Sequence, residues 1–103
     1  PTAAPVALVV GAPTVIAAAN PTGRRSSLRE VILSSNDLVP QQVIVRSSGG
    51  TRQVALFTMG GGGTETIQIE PPLVSLPGET WIATLTAVSP GASVFIAALG
   101  SYE

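Results

Sequence analysis

The residue types that perform most protein catalysis are missing from this chain. Its 103 residues include no histidine, no cysteine and no lysine. The sequence therefore offers no imidazole base, no thiolate nucleophile, no Schiff-base amine and no soft metal ligand. Six carboxylates remain, and they stand singly among apolar and hydroxyl-bearing runs. We expect a protein that is not an enzyme and that binds no cofactor.

The few remaining polar motifs do not combine into a site. Glu65 and Glu70 share one predicted strand, but their odd separation places them on opposite faces. Asn36 and Asp37 predict a turn in which the side chains bond their own backbone, rather than a hard-metal site. The four glycines at 60–63 lack the lysine and the helix of a phosphate loop, so they predict a hairpin tip. The sequence predicts no catalytic, cofactor or metal residue.

Composition points to a partner. Charged residues make up 11% of the chain and hydrophobic residues 45%, whereas roughly 25% of an average soluble protein is charged. A surface with so few charges usually has a partner, so we expect self-association or docking on a larger assembly. The alternative is a monomer that its small polar residues keep in solution. The net charge of −1 and the absence of a basic stripe argue against nucleic acid. No apolar run reaches the ~20 residues that cross a membrane, so we do not expect a membrane as a partner.

The charges are divided unevenly along the chain. Residues 1–52 carry five arginines against two carboxylates, a formal +3, and residues 53–103 carry four glutamates, a formal −4. In a sandwich these halves interleave and cancel within one molecule, or they form complementary edges on neighbouring copies. Arg24 and Arg25 follow a predicted turn at 20–23, and each guanidinium can hold a carboxylate bidentately. We expect this pair to meet acidic groups on a partner; the alternative is a solvated loop.

The elements that position these residues are strands. Strand signals recur at short spacing between Gly, Pro and Asn turns, and no stretch keeps a 3.6-residue period. We predict an all-β fold, an antiparallel β-sandwich with jelly-roll-like connections and about eight short strands. In detail, Pro71-Pro72 should end the strand at 64–70, and Trp81 should lie in the core. Consecutive Val94, Phe95 and Ile96 predict a central last strand that is covered on both faces.

The first residues depart from this pattern. Residues 1–13 predict an extended N-terminal arm, and residues 14–103 a single β-sandwich domain. Pro5 and Pro13 would keep the arm at a sheet edge or outside the sheet. Its apolar residues could then add extended contacts elsewhere. We therefore expect Pro5, Val6 and Leu8 to bind a partner, together with Arg24 and Arg25.

Four segments carry a family resemblance. They are the opening run TVIAAANPTGRRSSLREVILSSND, the hairpin QVALFTMGGGGTETIQIEP, the proline-glycine turn and strand PLVSLPGETWIATLTAV, and the ending ASVFIAALGSYE. Their order resembles a β-sandwich module of tailed-bacteriophage virion proteins, which occurs in head decoration (cement) proteins and in tail or fibre proteins.

The resemblance implies a structural protein on the capsid exterior of a virion. A cement protein binds the outer head surface in many copies, often as homotrimers, and stabilises the lattice of the major capsid protein. The implied partners are therefore the major capsid protein and further copies of this chain. The short chain has no stalk repeat, which favours cement over the alternative of a tail or fibre module. A carbohydrate-binding β-sandwich is a third possibility, but its signs, two aromatics on one face or a loop cluster of Asp and Asn, are not visible in the sequence.

Overall fold

The computed structural model describes residues 5–50 and 52–102. Within them the chain forms eight strands and no helix, as the alternation of apolar and polar residues predicts. The strands are β1 Val6–Ala7, β2 Thr14–Ala17, β3 Ser26–Ser35, β4 Gln42–Ser47, β5 Gln53–Phe57, β6 Gly63–Val74, β7 Trp81–Leu85 and β8 Val94–Tyr102.

Two antiparallel sheets of four strands form the sandwich. The first has the order β1-β8-β3-β6 and the second the order β2-β7-β4-β5. First and last strands pair, then second and seventh, third and sixth, and fourth and fifth. The chain is thus one long hairpin rolled into two sheets, which is the topology of a jelly roll. The predicted antiparallel, jelly-roll-like sandwich is confirmed.

Strand β6 is longer than the sequence predicted. Its pairing with β3 does not end at Pro71-Pro72, because it resumes where Leu73 faces Leu28. The register shifts between Leu28 and Glu30, so the two prolines lie in a bulge of an edge strand. Proline is tolerated there because an edge strand has one side of its backbone without a ladder to complete. The expected stop at these prolines was wrong.

The core lies between the inward faces of the sheets. Buried and half-buried residues alternate along β4, and Val43 and Val45 point inward. Trp81 is fully buried, as predicted. The predicted central position of β8 is confirmed, since it lies between β1 and β3. Phe95, however, is 41% exposed, so the outward face of β8 is open at this residue, and the expectation of two fully covered faces was wrong.

Successive strands run in opposite directions, so the loops that connect them lie alternately at the two ends of the molecule. Loops 8–13, 36–41, 58–62 and 86–93 form one end, which we call the cap end. Hydrogen bonds join these loops, among them Gly61 N to Leu38 O at 2.9 Å. The described residues of the other connections, 18–25, 48–50 with Arg52, and 75–80, form the arginine end. There the N–H of Ser48 donates to Thr80 O at 2.9 Å.

Candidate functional site

The described residues were searched for clusters that could bind a metal ion and for membrane-spanning helices. Among them no three His, Cys, Asp or Glu side chains come close enough to hold a metal ion. Every buried side-chain nitrogen and oxygen of the described residues has a hydrogen-bond partner. A search of the same residues for a helix long and apolar enough to cross a bilayer finds none.

The three predicted partner-binding residues of the N-terminal segment differ in their exposure to solvent. Pro5 is exposed, and Val6 pairs with Ile96 at the edge of the first sheet. Leu8 is buried in the core, and its N–H donates to Val94 O at 2.9 Å. A side chain packed between the two sheets is not available to a partner. The described part of the predicted arm therefore closes the sandwich, and residues 1–4 of that arm lie outside the described residues.

The same segment nevertheless exposes two apolar side chains. Val9 is 58% exposed and Val10 is 44% exposed. They follow Leu8 at the cap end, where Gly11 N donates to Leu85 O at 3.2 Å and holds the segment against the second sheet. These exposed side chains lie one and two residues after Leu8 in the chain, and whether they meet a partner stays a prediction.

Arg24 and Arg25 lie at the opposite end of the molecule. Both are exposed, on a loop shaped by Asn20. The Asn20 Oδ1 accepts from the N–H and hydroxyl of Thr22 at 3.0 and 2.8 Å, and its Nδ2 donates to Arg25 O at 3.0 Å. The loop is therefore built without the guanidinium groups. Whether these groups meet acidic residues of a partner stays a prediction.

Sequence reasoning missed three exposed apolar residues of the cap end, including Leu38, the most exposed large hydrophobic residue among those described. Leu38 is 74% exposed, Val39 is 54% exposed and Met59 is 44% exposed. All three lie in cap-end loops, and we call them, together with Val9 and Val10, the docking cap. A signal was available in the sequence, because Leu38 and Val39 directly follow the turn residues Asn36 and Asp37.

Asp37 holds the loop that carries Leu38 and Val39. Its Oδ1 accepts from the N–H of Val39 at 3.0 Å and from the hydroxyl of Ser89 at 2.8 Å. Its Oδ2 accepts from the N–H of Ser89 at 2.8 Å and from the Gln41 side-chain amide at 3.0 Å. The predicted turn chemistry is therefore present, but the same carboxylate also ties loop 36–41 to loop 86–93. Asp37 itself is buried.

These donors control the ionisation of Asp37. The pKa of its carboxyl is lowered to about 2, chiefly by the Ser89 backbone N–H and then by that of Val39. A carboxylate that accepts several hydrogen bonds is favoured over its protonated form. Asp37 is therefore ionised at neutral pH, although no arginine is among the groups that hold it.

Further hydrogen bonds fix the docking cap from the side of β5. Thr58 N donates to Gln41 O at 2.9 Å, and Gln41 N donates to the Thr58 hydroxyl at 2.8 Å. Beside them, the Asp37 and Ser89 loops line an open depression of about 390 Å³. The loop thus turns its polar groups inward and its two largest apolar side chains outward. Because these hydrogen bonds already hold the loop, burial of Leu38 by a partner would cost little loop entropy.

The exposed apolar residues of the docking cap lie at one end of the molecule, and most charged loop residues lie at the other end. The cap-end loops hold one charged residue, the buried Asp37, whereas the arginine-end loops hold Arg24, Arg25, Arg52 and Glu79. Folding therefore does not spread the charges evenly along the molecule.

A comparison of the sequence with protein-family models and with curated proteins finds no match.

Proposed function

We propose that this chain is a non-enzymatic docking protein, and specifically a decoration (cement) protein of a tailed-bacteriophage head. In this proposal it binds the outer surface of the capsid and stabilises the lattice of the major capsid protein. The family resemblance supports the virion assignment. The jelly-roll strand order agrees with it, since this fold is frequent among viral capsid and lectin domains, although a fold alone does not define a function.

The observation that carries the docking role is the docking cap. A leucine that is 74% exposed, on a loop held by a buried carboxylate, has no role in the core of its own chain. Burying a leucine side chain is worth about 1.5–3 kcal/mol, and a loop that is already held in one conformation loses little entropy on binding. We assign the cap end to the contact with the capsid protein.

Copies of the chain are proposed to meet as a homotrimer through the second sheet. The strands of this sheet contain a single charged residue, Arg46. Val15 and Phe57, at its two edges, are 55% and 57% exposed. A flat face with so little charge suits association through small and apolar side chains. Native mass spectrometry of the purified chain tests the trimer directly.

The docking assignment is tested by binding to undecorated, expanded heads of the phage that encodes the chain. A variant with Leu38→Ser and Val39→Ser is expected to bind at least about tenfold more weakly, since each tenfold corresponds to about 1.4 kcal/mol. Its fold should be retained, because both side chains project from the core. Leu76→Ser is the matched control, as Leu76 is a 40% exposed leucine in a loop of the arginine end.

Two results would overturn the assignment. If the double serine variant binds heads as tightly as the parent, the docking cap is not the contact surface. If the parent fails to bind heads but binds purified tail components, the tail or fibre alternative replaces the cement proposal. In that case the docking cap would remain a contact surface with a different partner.

A further inference from the structure

A second depression opens on the flank of the sandwich, on the outward face of the first sheet. Its volume is about 260 Å³, and its lining includes Ser34, Asn36, Gly63, Thr64, Ser93 and Phe95. None of these residues belongs to the docking cap. The volume falls just below the 300–1,000 Å³ of pockets that hold drug-sized ligands, so it suits a single small ring.

One wall of this depression is aromatic. Phe95 faces Ser34 across the β3–β8 ladder, and Ser34 faces Thr64 across the β3–β6 ladder. The three side chains therefore form one row across three strands of the sheet. Phe95 is 41% exposed although its strand is central. An exposed ring beside hydroxyl groups provides an apolar surface with polar groups at its border.

The polar groups of the depression can take further hydrogen bonds. The hydroxyls of Ser34 and Thr64 lie 3.1 Å apart, so one donates to the other and the acceptor keeps its own hydrogen for a ligand. The Asn36 Oδ1 accepts from the Ser93 N–H at 2.6 Å. This bond uses the amide oxygen, and the two N–H donors of Asn36 Nδ2 have no acceptor within the described residues.

The depression is formed by backbone that is already ordered. Asn36 N also donates to Ser93 O at 3.3 Å, so Asn36 and Ser93 hold each other in both directions. Gly62 and Gly63 have φ angles of 79° and 124°, which favour glycine. A side chain at Gly62 would approach Ser35 O to 3.2 Å, so the chain passes this point at close range. A ligand would meet a site that needs little rearrangement.

We propose that this depression binds the ring of a neutral sugar, a hexopyranose unit. A pyranose has a face of C–H groups that packs on an aromatic ring, and hydroxyls that donate and accept at its border. Ser34, Thr64 and Asn36 supply donors and acceptors at the border of Phe95, as such a ring needs. No charged side chain lines the depression, so nothing there would offset the desolvation of an acidic or phosphorylated sugar.

The proposal is tested on the isolated, ¹⁵N-labelled chain by NMR titration with the methyl pyranosides of glucose, galactose and mannose. We expect at least one of them to shift the amide signals of residues 34–36, 63–64 and 93–95 saturably, with a millimolar dissociation constant. Glucuronate is expected to bind at least tenfold more weakly. The experiment contains no capsid, so a negative result leaves the docking proposal unaffected.

Matched variants locate the binding. Phe95→Ala should weaken binding of that pyranoside at least tenfold, whereas Phe57→Ala should not change it, because Phe57 is an exposed phenylalanine on the other sheet. Thr64→Val keeps the side-chain shape at an exposed position and should weaken binding about threefold or more. The proposal is overturned if none of the pyranosides gives saturable shifts, if the shifts lie elsewhere, or if both Phe95→Ala and Thr64→Val bind as the parent does.

Discussion

Both ends of the sandwich are closed by a buried polar cluster, but the two clusters have different chemistry. At the cap end the cluster is the ionised Asp37, which accepts hydrogen bonds from two loops. At the arginine end it is the neutral group Ser26, Ser75 and Trp81. The exposed charges of the loops, in contrast, lie at the arginine end, where the buried cluster is neutral.

The neutral cluster is a chain of hydrogen bonds with one direction. Trp81 Nε1 donates to the Ser26 hydroxyl at 3.1 Å, and the Ser75 hydroxyl donates to Leu76 O at 3.0 Å. The Ser26 hydroxyl must therefore donate to that of Ser75, 3.3 Å away. Every group in this chain is satisfied without a titratable residue. The cluster at the cap end is therefore expected to weaken in acid, whereas the Ser26, Ser75 and Trp81 cluster is not.

The largest effect on stability is expected from Leu8→Ala. Truncation of a buried leucine leaves a cavity and costs about 2–4 kcal/mol, which corresponds to a fall in Tm of roughly 10–25 °C for a domain of this size. Val9→Ala, one residue along, should change Tm little because its side chain is exposed. Thermal unfolding followed by circular dichroism measures both. Equal and small effects would mean that the segment is a detachable arm and that the cap end lacks its first loop.

Asp37→Asn is expected to have the next largest effect at neutral pH. Each carboxylate oxygen accepts two hydrogen bonds, and the amide NH₂ of asparagine would confront two donors with another donor. The cost of unsatisfied buried partners is greatest around a charged group. Chemical unfolding at pH 7 should therefore show a lower free energy of unfolding than for Ser26→Ala.

The same variant gives the sign of the pH dependence. An unfolded Asp has a pKa of about 3.9, and that of folded Asp37 is lowered to about 2. Asp37 therefore contributes its full stabilisation above about pH 5, and loses it progressively as the pH falls to about 2. The difference between parent and Asp37→Asn should shrink over this range. A constant difference would show that the carboxylate charge does not hold the cap end.

Ser26→Ala tests the neutral end. Removal of the hydroxyl leaves Trp81 Nε1 without its acceptor inside the core, which costs about 1–3 kcal/mol. Because neither Ser26 nor Trp81 titrates, the loss should be the same at pH 7 and pH 3. A loss that changes with pH would remove the contrast between the ends.

The fold was predictable from the sequence because its information is local. Alternation along β4 and β7 and the turns between strands indicate a sandwich of about eight strands without any knowledge of pairing. The two strand-level errors arise where tertiary contacts decide. Pro71 and Pro72 are compatible with a strand because it lies at an edge. Phe95 resembles a core residue in sequence, but its row on the outward face is set by β3 and β6.

The candidate sites were less predictable because they depend on distant parts of the chain. Ser89 lies 52 residues from Asp37, and no pattern in the sequence joins the two loops. The sequence around Leu8 predicts an exposed arm, because the pairing of β1 with β8, at the other end of the chain, is not visible in it. Such pairing of first and last strands is a property of the whole topology. The sequence places Leu38 directly after a turn, but only the packed core shows that its side chain is 74% exposed.

The smallest effect is expected from the exposed arginines. Arg24→Glu combined with Arg25→Glu should leave Tm nearly unchanged, because Asn20 shapes their loop without either guanidinium. If acidic groups of the capsid or of a neighbouring copy meet these arginines, head binding by the variant should weaken at low salt. At about 1 M salt, where charges are screened within roughly 3 Å, it should equal that of the parent.

Salt therefore distinguishes the two ends in one binding assay. The variant with Leu38→Ser and Val39→Ser should remain weak at every salt concentration, since burial of apolar area is not screened. Arg24→Gln with Arg25→Gln is the neutral control, which should lie between the parent and the charge-reversed variant at low salt. Head binding by the glutamate variant that equals the parent in low salt would show that the pair is solvated. Docking would then depend on the apolar surfaces alone.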